Sequence, residues 1–268
     1  MCRCVEERIN QFIFKLMNTV LDKFNPAKHY FKDPYPHIII EDCLPQDLYN
    51  NLYNSFPVKE IKQTLPLIIG HTYRYLANDV MNKKLISVSS VWQDFFEAHT
   101  SQQYYEKVLD IFKNDLPNIE WFKNQQVSVR NSSTTDQVVT DTQFVVHKPI
   151  KETTRTDHLD NPMEIYAGLF YMRRPEDTAE GGDFVIYRTD PIKEVAKQNG
   201  RELLPSTKKE IVKTIKYGSN KFVMFLNSNR SAHGVTPRIN SQTERLSINI
   251  IAEVTQKKSA LFPLKKVG

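Results

Sequence analysis

The chain has 268 residues, 40% of them hydrophobic and 25% charged, which is enough apolar side chain to bury a full core and excludes an intrinsically disordered protein. No apolar run approaches the ~18 residues that a membrane span needs, and the N-terminal MCRCVEERINQ sets charges where a secretory signal is apolar, so a cytoplasmic protein with no membrane partner is expected. The net charge of +5 is spread along the chain rather than gathered in one block, so nucleic acid is not an expected partner.

The three cysteines, Cys2, Cys4 and Cys43, lack the C-x-x-C spacing of zinc or redox motifs and read as reduced thiols. Across residues 5–24 apolar side chains recur at steps of three and four, which predicts an amphipathic helix ended by Asn25-Pro26. PYPHIIIED over 34–42 suits a short buried strand, and Leu44-Pro45 then opens a helix through Leu48, Leu52 and Phe56. Two further helices are expected over 88–99, with Trp92, Phe95 and Phe96, and over 101–115, with Ser101 as N-cap; their aromatic stripes read as core.

Beyond residue 125 the pattern shortens to β-rich runs at 126–130, 142–147, 165–172, 183–188, 211–217, 221–226, 233–238 and 246–254. Eight such runs is the jelly-roll count. The expected fold is therefore α+β: a double-stranded β-helix (jelly-roll, cupin-like) core over 125–268, braced by a helical N-terminal region over 1–124. The polar stretch 189–209 is expected to be a short helix or a mobile loop over the barrel mouth.

Thr156-Asp157-His158-Leu159-Asp160 sets an imidazole and a carboxylate two residues apart, on one face of an extended chain, where a single metal can take both. A bare H-x-D is weak evidence. A third ligand is available in His233, which follows the apolar run KFVMFLN and a tight polar turn. Two histidines and one carboxylate on one face of an iron ion leave positions for a bidentate oxo acid and for dioxygen. Arg245-Leu246-Ser247 follows, and strand alternation points its guanidinium and hydroxyl to the same side, a pair suited to the distal carboxylate of 2-oxoglutarate. Arg238 is the alternative for that role. His147 reads as a satisfied core or surface histidine, and His29, His37, His71 and His99 show no ligand spacing.

Taken together, H-x-D, a distal His-Gly-Val and a following R-x-S resemble the iron(II)/2-oxoglutarate-dependent oxygenase superfamily, and its prolyl-hydroxylase-like branch in particular. His158-Leu159-Asp160-Asn161-Pro162, Leu169-Phe170-Tyr171-Met172 and Gly181-Gly182-Asp183-Phe184 extend the resemblance over about residues 125–255. It implies Fe(II), 2-oxoglutarate and O2, with His158, Asp160 and His233 as catalytic metal ligands, Arg245 and Ser247 on the co-substrate, and Tyr171 assisting at its carboxylate. It also implies hydroxylation of an unactivated carbon, because Asp160 fills the place that halogenating members leave to chloride. The substrate, peptidyl or small-molecule, and the oligomeric state stay open. The rival readings are a non-catalytic jelly-roll protein that binds metal or sugar, which leaves Arg245 and Ser247 unexplained, and a demethylating oxygenase acting on nucleic acid.

Overall fold

The computed structural model describes residues 19–68, 71–133, 136–149, 156–196 and 201–267. In chain order its elements are α1 (Pro26–His29), β1 (Tyr30–Phe31), β2 (His37–Ile40), α2 (Gln46–Asn54), α3 (Val58–Thr64), β3 (Thr72–Leu76), α4 (Ala77–Met81), α5 (Ser90–Thr100), α6 (Gln102–Phe112) and α7 (Ile119–Lys123). There follow β4 (Val127–Val129), β5 (Val138–His147), β6 (Glu164–Met172), β7 (Phe184–Thr189), β8 (Glu194–Ala196), β9 (Lys209–Ile215), β10 (Ser219–Leu226), β11 (His233–Val235), β12 (Arg245–Val254) and β13 (Lys265–Val267).

Several expectations need correcting. Most of the predicted helix over 5–24 lies outside the described residues, and residues 20–23 form a turn. Asn25 does not terminate a helix but begins one: its side chain accepts the Ala27 amide and caps α1. Ser101 does cap α6, taking the Tyr104 amide on Oγ at 3.1 Å. The run after His233 stops at Val235, since Pro237 has no N–H to continue a ladder. The polar stretch after Thr189 contains β8 instead of a helix, and residues 197–200 lie outside the described residues.

One sheet runs β1-β2-β10-β6-β12-β5-β3, with β4 beside β5, and a smaller one runs β11-β7-β9. Strand alternation gives the large sheet two distinct faces. Phe144, Val146, Phe170, Met172, Phe222, Met224, Leu246, Ile248 and Ile250 point to the helices and form the larger core with Trp92, Phe95 and Phe96. Trp92 is fully buried there, its ring centroid 4.6 Å from that of Phe144 and its indole N–H bonded to the Leu52 carbonyl. The intervening residues Ala167, Tyr171, Val223, Phe225 and Ile251 point the other way and meet Phe184, Ile186 and Ile215 of the smaller sheet, closing the interior of a double-stranded β-helix. A third cluster, Leu159, Ile192, Val195, Leu203, Ala232 and Phe262, lies at one end of that interior. Here β13 pairs in parallel with β8.

Candidate active site

His158 and His233 face each other across an antiparallel bridge, exchanging both backbone hydrogen bonds at 2.9 and 3.1 Å. Residues directly opposed in this way present their side chains on one face. Gly234 permits the approach, because a Cβ there would stand 3.3 Å from the backbone of Asp157. Asp160, two residues along from His158, projects from the same side, and its two carboxylate oxygens each lie 3.6 Å from one imidazole Nε2. The three ligand atoms all fall within 4.8 Å of one another, and all three residues are buried.

The backbone decides which nitrogen each ring turns inward. His158 Nδ1 lies 2.6 Å from the Thr156 carbonyl and His233 Nδ1 2.9 Å from the Ser231 carbonyl. A carbonyl can only accept, so Nδ1 carries the proton and the Nε2 lone pair faces Asp160, the tautomer a metal requires. Phe184 stacks on the His233 ring at 5.2 Å and Phe225 lies at 4.5 Å, which fixes the ring in an apolar wall. Behind the ligands, Leu159 and Ala232 are anchored in the third hydrophobic cluster. The donor set, buried and pre-aligned, fits a divalent iron ion bound by two histidines and one carboxylate.

Arg245, Ser247 and Tyr171 meet deeper in the same interior. Ser247 is the register partner of Tyr171, and the Arg245 guanidinium lies 5.0 Å from the Tyr171 ring centroid and 4.8 Å from that of Tyr217. Arg245 is 1% exposed and gives its Nε–H to the Gly182 carbonyl at 3.1 Å. Its Nη2, Ser247 Oγ and Tyr171 Oη are buried without a hydrogen-bond partner among the described residues. Burial raises the Tyr171 pKa and the Arg245 charge opposes the rise, so the phenol keeps its proton as a donor. A buried cation with orphaned donors around it is suited to a ligand carboxylate.

Arg238, the alternative, is paired with an acid. Its guanidinium bonds Asp177 at 2.6 Å, with both residues buried, so its charge is already matched. Two further residues flank Arg245. Tyr217 donates its hydroxyl to the Leu246 carbonyl and so backs Arg245, while its own backbone is held by Asp183 of the GGDF motif. His147, read from sequence as a satisfied core or surface histidine, stands opposite Arg245 on β5 with its Nδ1 2.9 Å from Thr72 Oγ1. Burial, then the charges of Arg245, Arg74 and Arg238, hold its imidazole well below the ordinary pKa and therefore neutral. Only strand pairing reveals either position. Of the basic residues flanking the metal strands, Arg173 braces the carbonyls of Asp177, Ala179 and Tyr217, and Arg155 lies outside the described residues.

Residues 142–252 match the model of the 2OG-Fe(II) oxygenase superfamily. No curated protein matches the chain in sequence. Among solved structures, a prolyl 4-hydroxylase from Phytophthora capsici is 14% identical, with TM-score 0.47, 82% of this chain covered and 59% of that one. A Pseudomonas putida prolyl-4-hydroxylase is 15% identical, with TM-score 0.44 and coverages of 86% and 96%. A Trichoplax adhaerens prolyl hydroxylase, solved with a hypoxia inducible factor peptide fragment, is 9% identical, with TM-score 0.42 and coverages of 95% and 94%. The chain thus spans about three fifths of the Phytophthora enzyme's length. The matched segment contains both histidines, the aspartate and the arginine-serine pair, and over these residues the chain is similar to the 2OG-Fe(II) oxygenase superfamily.

Proposed function

We propose that this protein hydroxylates an unactivated carbon of a peptidyl residue such as proline, an amino acid or a small metabolite, converting 2-oxoglutarate and dioxygen to succinate and carbon dioxide. One oxygen atom then enters succinate and the other the product. The observation that carries the reading is the buried His158–Asp160–His233 set sharing one barrel interior with a buried arginine that has an orphaned donor.

In this reading His158, Asp160 and His233 hold iron(II), and Arg245, Ser247 and Tyr171 hold the distal carboxylate of 2-oxoglutarate. Bound iron supplies the site for dioxygen activation. The chain's residues do the positioning. The Thr156 and Ser231 carbonyls keep both imidazoles in the metal-binding tautomer, Phe184 and Phe225 keep the His233 side dry, and Tyr217 with Gly182 fixes the angle of the Arg245 fork. Asp160, as a resident carboxylate, favours hydroxylation over halogenation. A cytoplasmic location belongs to the same reading; among the described residues no helix is long and apolar enough to cross a membrane.

The test is succinate formation from 2-oxoglutarate with anaerobically loaded iron(II), followed by a substrate screen. Wild type is expected to turn over, His158→Ala to lose iron and activity together, and Arg245→Ala to keep iron while its KM for 2-oxoglutarate rises by about two orders of magnitude, as loss of a buried charged contact implies. Stoichiometric iron binding with no succinate from any substrate would sink the proposal.

A further inference from the structure

Along β12 the residues facing the barrel interior are Arg245, Ser247, Asn249 and Ile251. The first two belong to the carboxylate pocket. Ile251 pairs with Ala167, Ala167 pairs with Phe225, and Phe225 touches His233, so that row stands level with the metal ligands. Between the two rows lies Asn249, flanked by Leu169 on β6 and Gln143 on β5.

Asn249 is the only polar residue at that level on the β10-β6-β12 surface, where its neighbours in the row are Leu169 and Val223. Gln143, on its other side, is already engaged with Arg74 and Asp141. Asn249 Oδ1 is buried and meets no donor among the described residues. Among the described residues nothing bonds this oxygen, yet a buried polar atom in an apolar row costs stability unless something pairs with it.

We infer that Asn249 is a positioning residue for the co-substrate, its amide holding 2-oxoglutarate between the carboxylate gripped by Arg245 and Ser247 and the end that reaches the metal. The inference rests on the function proposed above. Its geometric support is the strand step: two residues advance about 6.8 Å, close to the length of a five-carbon dicarboxylate, so a ligand anchored beside Ser247 and directed toward the row of His233 reaches the level of Asn249. An amide presents both a donor and an acceptor, and turned either way it can give an N–H to a keto or carboxylate oxygen.

The experiment is equilibrium binding of 2-oxoglutarate to the manganese(II)-loaded protein, with metal affinity and melting temperature measured on the same samples. It compares wild type, Asn249→Val, Asn249→Thr and Arg245→Ala. Val and Thr share a shape, and only Thr keeps a hydroxyl. The expected result is a roughly tenfold loss of 2-oxoglutarate affinity in the Val variant, the size of one lost hydrogen bond, a smaller loss in the Thr variant, and unchanged metal affinity and melting temperature in both. In the iron enzyme the Val variant should raise KM for 2-oxoglutarate more than it lowers kcat. Wild-type affinity in both variants, while Arg245→Ala has lost binding, would overturn the role of Asn249 and leave the proposed function standing. Parallel losses of metal affinity and melting temperature would overturn it in favour of a structural role. Failure of the wild type to bind 2-oxoglutarate would remove both.

Discussion

Asp177 shows how one side chain defines the work of another. It neutralises Arg238 inside the molecule, whereas no acidic side chain is paired with Arg245 among the described residues, and its Nη2 is buried without a partner there. Asp177→Asn would strand the Arg238 charge, and breaking a buried pair in this way costs about 3–5 kcal/mol; urea unfolding should show that loss. His99 gives a pH signature. Burial is the main cause holding its imidazole down to about 4, against the bond that Nδ1–H makes to the Phe95 carbonyl, while Nε2 accepts the Val20 amide. The folded state therefore keeps His99 neutral where the unfolded chain, with a pKa of ~6.5, binds a proton. Stability from this group is full above pH ~6.5 and falls as pH drops toward 4, by about 3 kcal/mol in all. Denaturation midpoints between pH 7 and 4.5 should fall more steeply for wild type than for His99→Gln.

Among the elements, the Gly181-Gly182-Asp183 turn carries more than its length suggests. Gly181 has φ +77, and a Cβ there would collide with the Pro237 carbonyl. Downstream, Asp183 holds the Tyr217 amide and Lys216, setting the ring that backs Arg245. Gly181→Ala should cost at least ~2 kcal/mol and raise KM for 2-oxoglutarate, as seen by thermal melting and steady-state kinetics. This motif and the H-x-D and R-x-S pairs were legible in the sequence because each is local: two or three residues on one strand or turn fix their own relative directions. The strands of the second half could be read for the same reason, since their alternation is carried within each run. What escaped was non-local. β3 is interrupted by Arg74 in Thr-Tyr-Arg-Tyr-Leu and is defined by its pairing with β5. β8 and β13, three residues each, exist as strands through one another. The partners of Arg238, the position of His147 opposite Arg245 and the orphaned amide of Asn249 depend on register, which no single segment encodes.

At the scale of the whole molecule, the large sheet separates two kinds of demand. Its helix-facing side is a close-packed aromatic core in which Trp92, Phe95, Phe96 and Phe144 interlock. Its other side is the interior that gathers the candidate site, with His158, Asp160, His233, Arg245 and Ser247 all buried. Trp92→Ala should cost about 3–5 kcal/mol, measured by chemical denaturation. The folded fraction should nonetheless retain the KM for 2-oxoglutarate, because the change lies across the sheet from the site. An altered KM at full folding would show that the two faces are coupled.

The position of β12 has a consequence for how the protein comes into being. This strand lies between β5 and β6 in the middle of the large sheet, yet it follows every other strand of that sheet in the chain. Synthesis proceeds from the N-terminus, so His158, Asp160 and His233 leave the ribosome while the seam between β5 and β6 is still open. Arg245 and Ser247 arrive last, on the strand that closes it. The nascent chain thus holds His158, Asp160 and His233 before it holds Arg245 and Ser247, and assembly of the candidate site coincides with closure of the barrel.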